Sequence, residues 1–77
     1  MLLGPQNRLA EAVTHLNRVL EINPRNGEAH RNLSVAYGLQ GKLDAAIAEA
    51  NAALRIDPRS VAARQQLDRL LAAGGQR

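Results

Sequence analysis

The sequence predicts an all-α fold made of antiparallel helical hairpins, with four helices in total. Apolar residues recur at steps of three and four along the chain, which is the spacing of one face of an α-helix. The pattern also returns after 34 residues, because Ile22-Asn23-Pro24-Arg25 is followed by Ile56-Asp57-Pro58-Arg59. Apolar sites share this offset: Leu9 with Leu43, Val13 with Ile47, and Leu20 with Leu54. An internal period of this length is typical of a helical repeat protein.

Residues that favour the beginning or the end of a helix predict the bounds of the four helices. Pro5 opens the first helix at a position that needs no N–H, and Pro24 and Pro58 follow the ends of the first and third helices. Asn26 and Ser60 are the predicted N-caps of the second and fourth helices. The predicted bounds are 5–22, 27–40, 42–56 and 60–73.

The composition suits closely packed helices. The apolar residues are mostly Leu, Ala, Val and Ile, and the single aromatic residue is Tyr37. In helix two the residues predicted to face inward are Ala29, Leu33, Ala36 and Tyr37. In helix three they are Leu43, Ala46, Ile47, Ala50, Ala53 and Leu54, and in helix four they are Ala63, Leu67, Leu70 and Leu71. Four glycines are predicted to end helices rather than to bind phosphate: Gly38, Gly41, Gly74 and Gly75.

Charge and hydropathy argue against nucleic-acid and membrane partners. The net charge is only +3, and nine of the ten basic residues are arginines spread along the chain. Such a pattern is typical of solvated helix faces, whereas a nucleic-acid site favours one basic face with stacking aromatics. No stretch approaches the roughly 20 apolar residues of a membrane span, and Met1-Leu2-Leu3 is too short for a signal peptide. We therefore expect a cytoplasmic protein without a membrane partner.

No catalytic, cofactor-binding or metal-binding constellation is predicted. The chain has no cysteine, so disulfides and thiolate ligands are excluded. His15 and His30 lie on different helices, and neither has a carboxylate or second histidine at metal-ligand spacing. We expect His30 to be a partly buried packing residue and His15 to lie on the surface. Ser34 is predicted to be present because its side chain is small. It is not predicted to be a catalytic nucleophile, because no Gly-x-Ser-x-Gly turn surrounds it.

The segment 27–60 resembles a tetratricopeptide repeat (TPR). The family pattern has a large residue, Leu-Gly and Tyr in the first helix, then Ala, a bulky residue and a closing Pro. The matching positions here are His30, Leu33, Ser34, Tyr37, Ala46, Ala50 and Pro58. The resemblance implies a TPR-type α-solenoid in one domain, 1–77, with a half repeat at 5–26, a full repeat at 27–60 and a terminal helix at 61–74.

The function implied by the resemblance is non-enzymatic protein–protein interaction or assembly. A peptide or partner helix would bind in the groove that the first helices of the repeats line. Carried across by position, the groove residues are Glu28, Arg31, Asn32, Val35, Leu39, Gln65 and Arg69, with Ala62, Gln66 and Ala73 beside them.

The first helix predicts self-association. It resembles the second helix of a repeat without its hairpin partner, which would leave Leu9, Val13, Leu16 and Leu20 partly uncovered. We expect a homo-oligomer and favour a two-fold dimer over head-to-tail stacking. The reason is that Asp68 stands where the family has a small residue for close helix contact.

Two alternative functions stay open from the sequence. One is a structural self-association module, or an excised or engineered fragment of a longer repeat array, because the chain begins in the middle of a repeat. The other, less favoured, is a helix-turn-helix that binds nucleic acid. Against it, the third helix is rich in alanine and presents few polar residues outward: Lys42, Asp44, Glu49, Asn51 and Arg55.

Overall fold

The computed structural model describes residues 5–75, which form four α-helices and no strand. The helices are α1 (Pro5–Ile22), α2 (Gly27–Leu39), α3 (Leu43–Ile56) and α4 (Val61–Gly75). The all-α prediction is confirmed, and every predicted boundary lies within two residues of the observed one. None of the helices in this part of the chain is long and apolar enough to cross a membrane.

The two predicted N-caps are confirmed. Asn26 Oδ1 accepts a hydrogen bond from the Ala29 N–H at 3.0 Å, and Ser60 Oγ accepts one from the Ala63 N–H at 3.1 Å. Each cap satisfies an N–H that has no partner inside its own helix. The loops before them also repeat, since the Arg25 and Arg59 N–H groups donate to Asn23 Oδ1 and Asp57 Oδ1, 3.2 Å each.

The predicted glycine terminators differ in where they lie, since Gly41 lies in the turn after α2 and Gly75 is the last residue of α4. Gly41 adopts a φ of +79° in the α2–α3 turn, a conformation that side chains disfavour. Gly38 instead lies inside α2, and Gly74 lies inside α4, which continues to Gly75. The prediction was wrong at these positions because glycine permits a turn without requiring one, and neighbouring helix contacts keep these segments helical.

Packing places α2 at the centre of the molecule. It contacts α1, α3 and α4, whereas α1 contacts only α2 among the four helices. The result is a flat stack with extents of 42 × 36 × 16 Å. Short loops at 23–26, 40–42 and 57–60 make each helix antiparallel to the next one along the chain.

Small residues of α3 lie at its contact with α4. Ala46 and Ala50 of α3 are fully buried and cluster with Leu67 and Leu70 of α4. Alanines allow close helix approach, which suits a thin core. The inward assignment of Leu71 was wrong, because its side chain is 53% exposed. The contact with α3 instead selects Leu67 and Leu70, which leaves Leu71 on the outer side of the terminal helix.

Candidate interaction surface

The helices α2 and α4 lie against each other along part of their length. A methyl group built on Gly38 would lie 3.4 Å from Leu70 Cδ2, an ordinary van der Waals distance, so this part of α2 faces α4 at close range. The two helices are also joined through Gln66, whose Nε2 donates to Ser34 Oγ at 3.3 Å. Their outer faces therefore form one continuous surface.

The α2 part of this surface carries two exposed apolar side chains. Val35 is 38% exposed and Leu39 is 68% exposed, and their spacing of four residues places them on one helix face. Arg31 and Asn32 lie one turn before Val35 and are half-buried. Glu28 lies two turns before Val35 and is exposed. The five predicted α2 groove residues thus share a single stripe that remains at least partly accessible.

The α4 part of the surface is polar. Gln65 and Arg69 are exposed and lie one turn apart, between the exposed alanines Ala62 and Ala73. Gln66, which was also assigned to the groove, is half-buried, and its amide donates a hydrogen bond to Ser34. Its position in the sequence did not show that this amide reaches a hydroxyl on α2.

Depressions also occur on the surface formed by residues 5–75. One, of about 310 Å³, is lined at one end of the α2–α4 surface by Gly27, Glu28, Arg31, Ala53, Ile56, Asp57 and Ser60. It includes two of the predicted groove residues. A larger one, of about 500 Å³, lies on α1 beside Ala10, Glu11, Thr14, His15 and Arg18. The larger depression therefore lies on a different helix from the predicted groove.

A half-buried His30 links three elements. Its Nδ1 lies 2.7 Å from Glu49 Oε1 on α3, and its Nε2 lies 3.1 Å from the Pro24 carbonyl oxygen. Both neighbours accept hydrogen bonds, so only a doubly protonated ring donates to both. The prediction of a partly buried packing residue is confirmed, and His15 is exposed as expected. Sequence reasoning missed Glu49, which was expected to face outward, because 19 residues separate it from His30.

Comparison with known proteins identifies the family. A family model of the tetratricopeptide repeat matches residues 2–61, most of the chain. The chain belongs to the tetratricopeptide repeat family. TPR repeats generally mediate protein–protein interaction and are generally not catalytic. None of the curated proteins compared with the chain matches it.

The TPR match agrees with the packing of the hairpin α2–α3. Ser34 stands at a family position that requires a small residue, and here its hydroxyl is fully buried and donates to the Ala46 carbonyl oxygen at 2.7 Å. Ser34 is therefore a structural residue of the TPR fold. Within residues 5–75, no group of three or more histidine, aspartate or glutamate side chains is placed to hold a metal ion.

The predicted self-association residues are placed on α1. Leu9, Val13, Leu16 and Leu20 are all half-buried, so α2 covers them only in part. Asp68 is exposed on the outer side of α4. These positions agree with the expected uncovered face of the first helix, and whether this face pairs with another chain stays a prediction.

Proposed function

We propose that this TPR protein is a non-enzymatic interaction module that binds a peptide or a partner helix in the groove lined by α2 and α4. In this proposal residues 27–60 form the complete repeat, so α2 and α4 both act as first helices. The observation that carries it is the exposure of Val35 and Leu39 on the α2 face that adjoins α4. Exposed apolar side chains rimmed by polar ones are typical of interaction sites.

The charges of the groove favour a ligand of a particular kind. Arg31 and Arg69 provide two guanidinium groups, against the single carboxylate of Glu28. Arg31 is also half-buried, so part of its stem is already packed and less side-chain entropy is lost on binding. The groove therefore suits a peptide with an acidic residue close to an apolar one.

The test is a selection of random peptides displayed on phage, with the affinity of the selected peptides then measured by fluorescence polarisation. Leu39→Glu and Arg69→Glu should each weaken binding by about tenfold or more, corresponding to about 1.4 kcal/mol. Both residues are exposed, so neither change disturbs the core. Ala48→Glu is the matched control, because Ala48 is equally exposed but lies on α3.

Two outcomes would contradict the proposal that the groove binds a peptide. Selected peptides that bind Leu39→Glu and Arg69→Glu as tightly as the unmodified protein would place the site elsewhere. A library that gives no enriched peptide at all would also count against a peptide-binding function. Peptides sensitive to both groove changes and insensitive to Ala48→Glu would support it.

A further inference from the structure

The 34-residue repeat gives each position of α1 an equivalent in α3. Ala12 corresponds to Ala46, and Leu16 corresponds to Ala50. Both α3 alanines are fully buried under neighbouring helices, whereas Ala12 is exposed and Leu16 is only half-buried. Among residues 5–75, α1 contacts no helix except α2. The face of α1 that contains Ala12 is therefore uncovered in the described part of the chain.

The hairpin α2–α3 shows what a covering helix must supply. Ser34 reaches the Ala46 carbonyl oxygen and donates a hydrogen bond to it in a site without water access. A helix that covers Ala12 in the same way meets the Ala12 carbonyl oxygen at this position. It therefore needs a donor or an apolar residue there, because a second acceptor would be buried without a partner.

The helix α4 of a second copy does not supply a suitable residue opposite the Ala12 carbonyl oxygen. Asp68 is the α4 equivalent of Ser34 under the 34-residue offset. Its ionised carboxylate is an acceptor only, so it would face the Ala12 carbonyl oxygen with no proton between them. The adjacent Glu11 would add like-charge repulsion. Burying such a carboxylate is costly, which disfavours head-to-tail stacking.

We propose that the uncovered face of α1 instead pairs with α1 of a second copy, antiparallel about a two-fold axis. The contact would join Ala12 to the partly exposed apolar residues of the same helix, which are Leu9, Val13, Leu16 and Leu20. An isologous contact covers both faces at once and closes the assembly as a dimer. This inference is independent of the groove between α2 and α4.

Charge complementarity selects the antiparallel orientation. Arg8, Glu11, His15 and Arg18 follow one another at steps of three and four, so they form one flank of α1. About a two-fold axis, this flank meets the same flank of the second copy. With Ala12 against Leu16 of the second copy, Arg18 of that copy lies about one residue along the axis from Glu11 and about two from Arg8, so the attractive pair is the nearer one. In a parallel two-fold pair this flank would instead meet the opposite flank of the second copy, and Glu11 would not meet Arg18.

The test measures molar mass by light scattering and sedimentation from low to high micromolar concentration, with circular dichroism as the check on folding. The unmodified chain should be a dimer, and Ala12→Arg should halve the mass without loss of helicity. Ala12 is exposed, so this change does not depend on the core, unlike Leu16→Glu. Ala48→Arg, at an exposed site on α3, should remain a dimer.

Charge exchange tests the orientation. Glu11→Arg should weaken the dimer, and the double variant Glu11→Arg/Arg18→Glu should restore it, because the two-fold axis brings both exchanged groups together. Asp68→Ala should leave the dimer unchanged. A folded monomer at high micromolar concentration, or an Ala12→Arg variant that stays dimeric, would overturn the proposal. Assemblies longer than a dimer formed by the unmodified chain would show that α4, rather than a second α1, covers this face.

Discussion

The hydroxyl group of Ser34 connects three helices. It donates to the Ala46 carbonyl oxygen on α3 at 2.7 Å and accepts from Gln66 Nε2 on α4 at 3.3 Å. A fully buried hydroxyl without these partners would be destabilising, whereas one that is hydrogen-bonded contributes about 1 kcal/mol. The small side chain at this position therefore does two things: it lets α3 approach closely, and it satisfies polar groups at the contact.

Ala46→Leu should destabilise the protein by about 1–3 kcal/mol, because Ala46 is fully buried where α2 and α3 meet and overpacking displaces the neighbouring helix. The free energy of unfolding in urea measures the effect. Ala48→Leu is the matched control on the exposed side of α3, where a change of within about 0.5 kcal/mol is expected. Equal stability of the Ala46→Leu variant and the unmodified protein would contradict the observed helix contact.

The pair of His30 and Glu49 illustrates a contact that local sequence patterns do not reveal. The family has a large apolar residue at the position of His30, and its replacement leaves a polar ring inside the hairpin. The structure compensates with the Glu49 carboxylate and the Pro24 carbonyl, one at each ring nitrogen. Loop, α2 and α3 are thereby joined at the end of the hairpin opposite to Gly41.

At the scale of the helical elements, the glycines differ in what the backbone requires of them. Gly41 ends α2 with a positive φ and has open space where a side chain would stand. Gly38 has helical backbone, and an added methyl group would make contact with Leu70 at 3.4 Å. The first position is thus restricted by conformation, whereas the second has room for a methyl group in ordinary van der Waals contact.

Gly41→Ala should destabilise the protein by about 1–2 kcal/mol, because a left-handed conformation is strained for alanine. Gly38→Ala should stabilise it by about 0.5 kcal/mol, because alanine favours helix and the contacting Leu70 methyl group ends a flexible side chain. Chemical denaturation of the two variants side by side provides the comparison. A loss of stability in Gly38→Ala equal to that in Gly41→Ala would mean that the contact with Leu70 cannot relax.

The terminal helix α4 has one apolar side and one side adapted to water. Leu67 and Leu70 are buried against α3, while Arg64, Asp68 and Leu71 remain exposed. Asp68 replaces the small residue that a following helix would need, so the charge on this side disfavours further stacking. The helix α1 has no charge at Ala12, which is the basis of the proposed contact between two copies of α1.

At the scale of the whole molecule, stability depends on few large buried side chains. Leu33 is the largest apolar residue that is fully buried, and it lies on α2, the helix that contacts all the others. A chain of this length is expected to have about 4–12 kcal/mol of stability in total. A single core residue therefore contributes a substantial fraction of it.

Leu33→Ala should cost about 2–5 kcal/mol and lower the melting temperature markedly. Leu39→Ala, in the same helix but 68% exposed, should change stability by less than about 0.5 kcal/mol. Circular dichroism during thermal unfolding distinguishes the two. Similar melting temperatures for both variants would be inconsistent with the central position of α2.

The sequence by itself determined the helices, their caps and the family. These features depend on local rules: the period of the apolar residues, the prolines that follow α1 and α3, and the side chains of Asn26 and Ser60. The repeat offset then predicted which helices are equivalent, and with them the α2 and α4 residues of the groove. The accessible stripe from Glu28 to Leu39 was predictable because it follows from helix periodicity alone.

Only the tertiary structure decided the contacts between helices. The bond between His30 and Glu49, the connection of Gln66 to Ser34 and the choice of Leu70 over Leu71 depend on the rotation and separation of helices distant in sequence. Small differences in helix rotation move a side chain from the core to the solvent without changing the helical pattern. The exposed state of Ala12 beside the buried state of Ala46 has the same origin: equivalent residues differ because only one of them has a helix packed over it.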